Sequence, residues 1–110
     1  QKKENQTLAF NGDALRIIIP SMEVRKKDSL VGLTKTEFKI LLYLAQRPQI
    51  VVNRSQLINS VLGYEFEGYE RVIDAHIKNI RHKVEQDAQN PMLIKTIYGA
   101  GYKFIGAPDH

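Results

Sequence analysis

Residues 70–85 read ERVIDAHIKNIRHKVE, and the spacing of their apolar side chains decides how the chain folds. Ile73, Ile77, Ile80 and Val84 recur at steps of four, three and four. That period predicts a helix from about Tyr69 to Gln86 with a single buried stripe. Placing residues 100° apart, at about 3.6 per turn, gathers the four into one narrow arc. Opposite them fall Arg71, Ala75, Lys78, Asn79 and His82, with Val72 and Lys83 toward one side. Glu70, Asp74 and Arg81 lie on the other side, where Asp74 is expected to pair with Lys78 one turn along or to sit near Arg81. The outward face is cationic and carries no carboxylate at its centre.

Upstream, two more helix starts are written in capping residues. Thr34-Lys35-Thr36-Glu37 is a capping box, followed by Phe38, Leu41, Leu42 and Ala45 at helical spacing and closed by Arg47-Pro48. Asn53 with Gln56 three residues later starts a second helix through Leu57, Ile58, Val61 and Leu62, which Gly63 ends. Between them Ile50-Val51-Val52 reads as a short strand, and 63–69, GYEFEGY, as a loop. Before Thr34 the pieces TLAF, LRIII, MEVRK and SLVGL are broken by turn residues, which indicates an antiparallel meander of about four strands. After Pro91, LIKTI and YKFI flank Tyr98-Gly99-Ala100-Gly101 and form a β-hairpin over 92–105. Strands, three helices and a hairpin, in that order, make an α+β winged helix-turn-helix. Residues 1–6 read as a linker remnant, 7–105 as the domain and 106–110 as a C-terminal tail.

Composition removes other classes. A chain of 110 residues holds one domain, and 43% apolar residues can fill its core. Without cysteine there is no disulfide framework, thiolate metal site or Cys nucleophile. No apolar run nears the roughly 20 residues that span a bilayer, and QKKENQT at the start is not a signal peptide. The expectation is a cytoplasmic protein with no membrane partner. A net charge of +4 permits a nucleic-acid partner without requiring one.

Each candidate residue has a plain reading beside the functional one. Lys and Arg on the third helix can merely solvate it, or they can neutralise phosphates. Asn79 can pair bidentately with adenine in the major groove, and Val72 can meet a thymine methyl. The hairpin, with Lys95 and Lys103 near its turn, tips the reading to DNA. Arg54, just after the Asn53 cap, is either a phosphate grip or simply exposed. Asp74 and His76 cannot form a hydrolytic pair, because positions two apart point about 200° from each other. Neither His76, His82 nor His110 has metal-ligand spacing, so no metal, cofactor or catalytic residue is expected. A winged helix that binds protein, with GYEFEGY as its docking segment, is the alternative.

The blocks LTKTEFKILLYLAQRPQIVVNRSQL, ERVIDAHIKNIRHKVE and IKTIYGAGYKFIG closely resemble the DNA-binding effector domain of OmpR/PhoB-type response regulators, from roughly Thr7 to Ile105. The resemblance implies a four-stranded N-terminal sheet, three helices and a C-terminal wing. It implies a transcription regulator whose third helix reads the major groove while the wing reaches the minor groove. It also implies a receiver domain and a sensor histidine kinase in the full-length protein, this chain being the effector half, and two such domains on direct-repeat half-sites. By position, Arg54, Arg71, Lys78 and Arg81 match phosphate contacts, Val72 and Asn79 match base-reading positions, and Thr96 and Lys103 match wing contacts. Tyr64, Glu65, Phe66 and Glu67 match a loop that touches RNA polymerase in some members. Two positions depart from the pattern. Val72 stands where Thr or Ser is common, and Tyr98 stands where some relatives place an Arg, so that sugar packing or a phosphate contact replaces a cation there.

Overall fold

A computed structural model describes residues 6–63 and 70–109. Strands β1 (Thr7–Phe10), β2 (Leu15–Ile18), β3 (Glu23–Lys26) and β4 (Ser29–Val31) form an antiparallel meander in sequence order. The alternation is the cause: Leu15 and Ile17 are buried, while Arg16 and Ile18, which alternate with them, are half-buried. Helix α1 (Lys35–Ala45) starts at the expected box. The Glu37 amide donates to Thr34 Oγ1 at 3.1 Å and the Thr34 amide donates to Glu37 Oε1 at 3.0 Å. Strand β5 (Val51–Val52) leads into α2 (Arg54–Leu57), where the Gln56 amide donates to Asn53 Oδ1 at 2.7 Å. Helix α3 (Glu70–Val84) follows, and β6 (Ile94–Ile97) and β7 (Gly101–Phe104) form the wing. β7 lies between β5 and β6, so the wing and the entry to α2 share one three-stranded sheet.

The core is continuous across both sheets and all three helices. Ile73, Ile77 and Ile80 are wholly buried and Val84 nearly so, as their period requires. Phe10 of the meander meets Phe104 of the wing edge-to-face with centroids 4.7 Å apart.

Four local expectations are corrected. The second helix is α-helical only to Leu57; Ile58–Leu62 form a π-helical turn before Gly63 turns left-handed at φ 80°. The apolar pairs Leu57-Ile58 and Val61-Leu62 suit either kind of turn, so their spacing does not separate the two. The third helix ends at Val84 rather than Gln86, because the buried Glu85 turns its carboxylate onto the amides of Met92, Leu93 and Ile94. Lys83 leaves the outward face and donates to Glu37 Oε1 at 2.7 Å. Asp74 pairs with neither Lys78 nor Arg81; its partners are described below.

Residues 107–109, set apart above as part of a tail, lie along β1. Pro108 bridges Phe10, and the Asp109 amide donates to the Ala9 carbonyl at 2.9 Å. The Asp109 carboxylate accepts from the amides of Gly12 and Asp13. Those amides belong to a turn in which Asn11, Gly12 and Asp13 all have positive φ, so the carboxylate fills the concavity that such a turn opens to anions.

Glu37 is 3% exposed. Burial pushes its carboxyl up, but the Lys83 ammonium and the Thr34 amide that donate to it, with the charges of Lys83 and His76, outweigh burial and hold it below its ordinary 4.5. A carboxyl lowered by folding stabilises fully above its unfolded value and loses that stabilisation as pH falls through the folded one. Glu37→Gln is therefore expected to lower the urea midpoint at pH 7, and the gap to the parent protein is expected to shrink once pH falls below 4.5. A gap of constant size across that range removes the ionised pair as its cause.

Candidate nucleic-acid interface

The isoleucine stripe fixes which side of α3 faces outward. Arg71, Val72, Ala75, Lys78, Asn79 and His82 are all exposed, Val72 at 40%. The carboxylates near them are turned elsewhere. Asp74 Oδ2 accepts from Arg54 at 3.0 Å, and its Oδ1 accepts from the Tyr102 hydroxyl. Glu70 accepts from Ser55 Oγ at 3.2 Å. Among the described residues the ion pairs are Arg54–Asp74 and Lys83–Glu37, so the exposed Arg71, Lys78 and Lys95 and the half-buried Lys103 have no carboxylate partner there.

Helix and wing are joined by side chains. Tyr102 belongs to β7, so its bond to Asp74 ties the wing to the first half of α3. Arg81 ties the second half. Its Nε and one terminal nitrogen donate to the Ile94 carbonyl, and the same nitrogen donates to Thr96 Oγ1 at 2.7 Å. Its guanidinium also stands 5.6 Å from the centre of the Tyr102 ring. Burial first, then the Asp74 bond and charge, push the Tyr102 phenol up to about 12 against the pull of Arg81 and Arg54. Arg54 and Asp74 are each over two-fifths exposed, so their pair orients α2 against α3 more than it stabilises the fold.

The wing turns tightly. The Ala100 amide donates to the Ile97 carbonyl, and Gly99 takes φ 80° at the third turn position, which glycine tolerates. Gly101 has a different task. A Cβ there would lie 2.2 Å from the Val52 carbonyl oxygen, so β7 seats against β5 only without a side chain. Tyr98 stands at the tip, 92% exposed, and Lys95 is paired directly with Lys103 two residues behind the closing Ile97–Gly101 pair. A cleft of about 460 Å³ runs between Asn53–Ser55, Glu70, Asp74 and the wing residues Thr96–Tyr102.

A family described as "Transcriptional regulatory protein, C terminal" matches residues 27–104. The chain belongs to this OmpR/PhoB-type family. Over 89 residues it is 40% identical to the alkaline phosphatase synthesis transcriptional regulatory protein PhoP of Bacillus subtilis, covering 81% of this chain and 37% of that protein. It is 35% identical to the DNA-binding response regulator MtrA of Mycobacterium tuberculosis over 89 residues, covering 81% and 39%. The chain thus spans about two-fifths of the length of these curated relatives. Among solved structures it superposes on the RstA DNA-binding domain of Klebsiella pneumoniae in complex with the RstA box, with a TM-score of 0.81, 28% identity and coverage of 91% and 97%. The DNA-binding domain of CpxR from E. coli matches with a TM-score of 0.77, 36% identity and coverage of 92% and 97%. The winged helix-turn-helix expected from the sequence is the fold this family adopts.

Of the residues the sequence singles out, Arg71, Val72, Ala75, Lys78, Asn79 and His82 share the open face of α3. Arg54 borders them through Asp74, while Thr96, Tyr98 and Lys103 occupy the wing. Arg81 and Thr96 bond each other inside the α3–wing joint. Tyr64, Glu65, Phe66 and Glu67 lie outside the described residues. No group of three or more His, Asp or Glu residues stands close enough to hold a metal, and no helix is long and apolar enough to cross a membrane, among the described residues. Sequence reasoning missed Tyr102 and Glu85. The alternation of Tyr102 with Phe104 signals an inward tyrosine, and an inward hydroxyl needs an acceptor. Glu85 has no such local signal.

Two outcomes follow from the joint. Asp74→Asn is expected to lower the highest tyrosine ionisation, seen by ultraviolet absorbance, from about 12, with burial still pushing it up. An unmoved titration separates Tyr102 from Asp74. Gly101→Ala should destabilise by about 3 kcal/mol or more through backbone overlap, against about 1 kcal/mol for Gly99→Ala, whose Cβ meets open space. Equal losses in thermal unfolding would refute the close approach.

Proposed function

We propose that the chain binds double-stranded DNA sequence-specifically, as the effector domain of a two-component response regulator that controls transcription. The observation that carries this reading is the outward face of α3: its cations and its amide stand exposed while Glu70, Asp74, Glu37 and Glu85 are each taken up by donors of the chain itself. Such a face suits the major groove, whose polyanionic walls reward cations and whose base edges reward an amide. The RstA domain solved with its DNA box supports the same use of the fold.

In this reading Arg71 and Lys78 contact phosphate, Asn79 and Val72 read base edges, and Ala75 leaves room for close approach. Arg54 keeps further donors beyond the one on Asp74 for a neighbouring phosphate. Arg81 and Thr96 act by holding the wing, whose Lys95 and Lys103 sit near the minor groove. Two modules bind direct-repeat half-sites about one helical turn (~10 bp) apart, on one face of the duplex. A receiver domain and a sensor histidine kinase supply the control signal, and loop 63–69 offers a contact for RNA polymerase. No catalytic step is assigned, since the Asp74 carboxylate is engaged by Arg54 and Tyr102. The work is cytoplasmic.

Lys78→Ala should weaken binding to every duplex alike and reduce the salt slope of log K by roughly 1. Asn79→Ala should lose about 1–3 kcal/mol at a single base pair and relax the preference there. Fluorescence anisotropy across a salt series, on a site selected from a random duplex pool, measures both. An unchanged slope for the first variant, or a uniform loss for the second, rejects these roles.

A further inference from the structure

The tip of the wing, Ile97 to Gly101, contains no charged residue, and its one large side chain, Tyr98, is 92% exposed. The nearest wing cations, Lys95 and Lys103, face each other across β6 and β7 two residues behind the closing Ile97–Gly101 pair. Two residues of strand put them roughly 7 Å back from the tip. Like charges placed opposite each other on a hairpin repel. Paired residues leave the same face of a hairpin, so the two ammonium groups together suit the phosphates of one groove rim beside the tip. The tip itself is held firmly, because the Tyr102–Asp74 and Arg81–Thr96 bonds fasten its strands to α3.

We propose that Tyr98 makes this wing select a wide or deformable minor groove beside the major-groove site, in preference to a narrow A-tract. This rests on the DNA reading above and adds the shape of the sequence that the wing requires. A narrow A-tract groove concentrates negative potential and rewards an inserted cation, usually arginine. Tyr98 brings no charge to that potential, and a phenol ring is too bulky for the groove at its narrowest. Flexible TA and CA steps open at smaller energetic cost and admit an uncharged side chain against the sugars or between loosened bases. Lys95 and Lys103 then hold phosphates of one flanking rim while the ring occupies the groove.

The test uses duplexes that share one selected core and differ only in the wing-side flank, which is either an A-tract or a run containing TA and CA steps. Binding is followed by fluorescence anisotropy at two salt concentrations. The parent protein is expected to favour the TA/CA flank by about threefold to tenfold. Tyr98→Ala should abolish that preference while keeping the salt slope of the parent, and Tyr98→Arg should turn it toward the A-tract and steepen the slope. Equal affinity of the parent for both flanks, a preference for the A-tract, or a preference that survives Tyr98→Ala overturns the inference while leaving the DNA reading intact. Failure to bind either duplex at low salt overturns both.

Discussion

The rotation of α3 about its own axis is the constraint on which the rest of the molecule depends. Ile73, Ile77, Ile80 and Val84 set it by entering the core together. Each such side chain is worth about 1.5–3 kcal/mol when fully buried, whereas an exposed ion pair is worth about 0–1 kcal/mol. Turning the helix by one residue, 100°, would pull isoleucines into water and push Asp74 or Lys78 inward. No arrangement of surface charges could offset that. The ion pairs therefore follow the rotation and do not set it, and the composition of the outward face is settled by hydrophobic burial on the inward one.

Given that rotation, charge is sorted by element. Acids are placed where the chain offers donors: Glu37 beneath Lys83 and the Thr34 amide, Glu85 over three amides, Asp109 over two, Asp74 between Arg54 and Tyr102. Each of these carboxylates does structural work and lowers the negative potential outside. Arg71 and Lys78 on α3, with Lys95 and Lys103 on the wing, are left without a carboxylate partner among the described residues. A net charge of +4 is modest for a chain of this size. Its distribution matters more than its sum, because a polyanion feels the local face.

Much of this was legible in the sequence, and the part that was not has a common cause. Caps, stripes and turns depend on residues within a few positions of each other, so Thr34 with Glu37, Asn53 with Gln56 and the isoleucine steps identify their elements directly. A helical wheel gives the angle of a side chain about its own axis; it says nothing of which neighbour stands at that angle. Lys83 lay toward the outward side by angle and was claimed by Glu37, 46 positions earlier. Asp74 looked like a partner for Lys78 and was claimed by Arg54 and Tyr102, 20 and 28 positions away. The clasp of Asp109 on Gly12 spans 97 positions. The π-helical turn escaped for another reason, since its apolar pattern fits two helical periods equally well.

The joint between α3 and the wing gives these contacts their functional weight. Individually they are small: one partly exposed ion pair, one buried phenol, one arginine on a carbonyl and a hydroxyl. Together they grip β6 and β7 at points along the length of α3, and Gly101 lets β7 lie against β5 without a side chain between them. A wing hinged on its own turn could follow the DNA wherever the minor groove led. On the DNA reading proposed above, a wing fastened to α3 would arrive at a set distance and angle from the major-groove contacts, so a duplex would have to offer the right bases and the right groove shape at that separation. In that reading the bonds within the joint, made between side chains and backbone of the chain itself, set which combination of sequence and shape could be read at once.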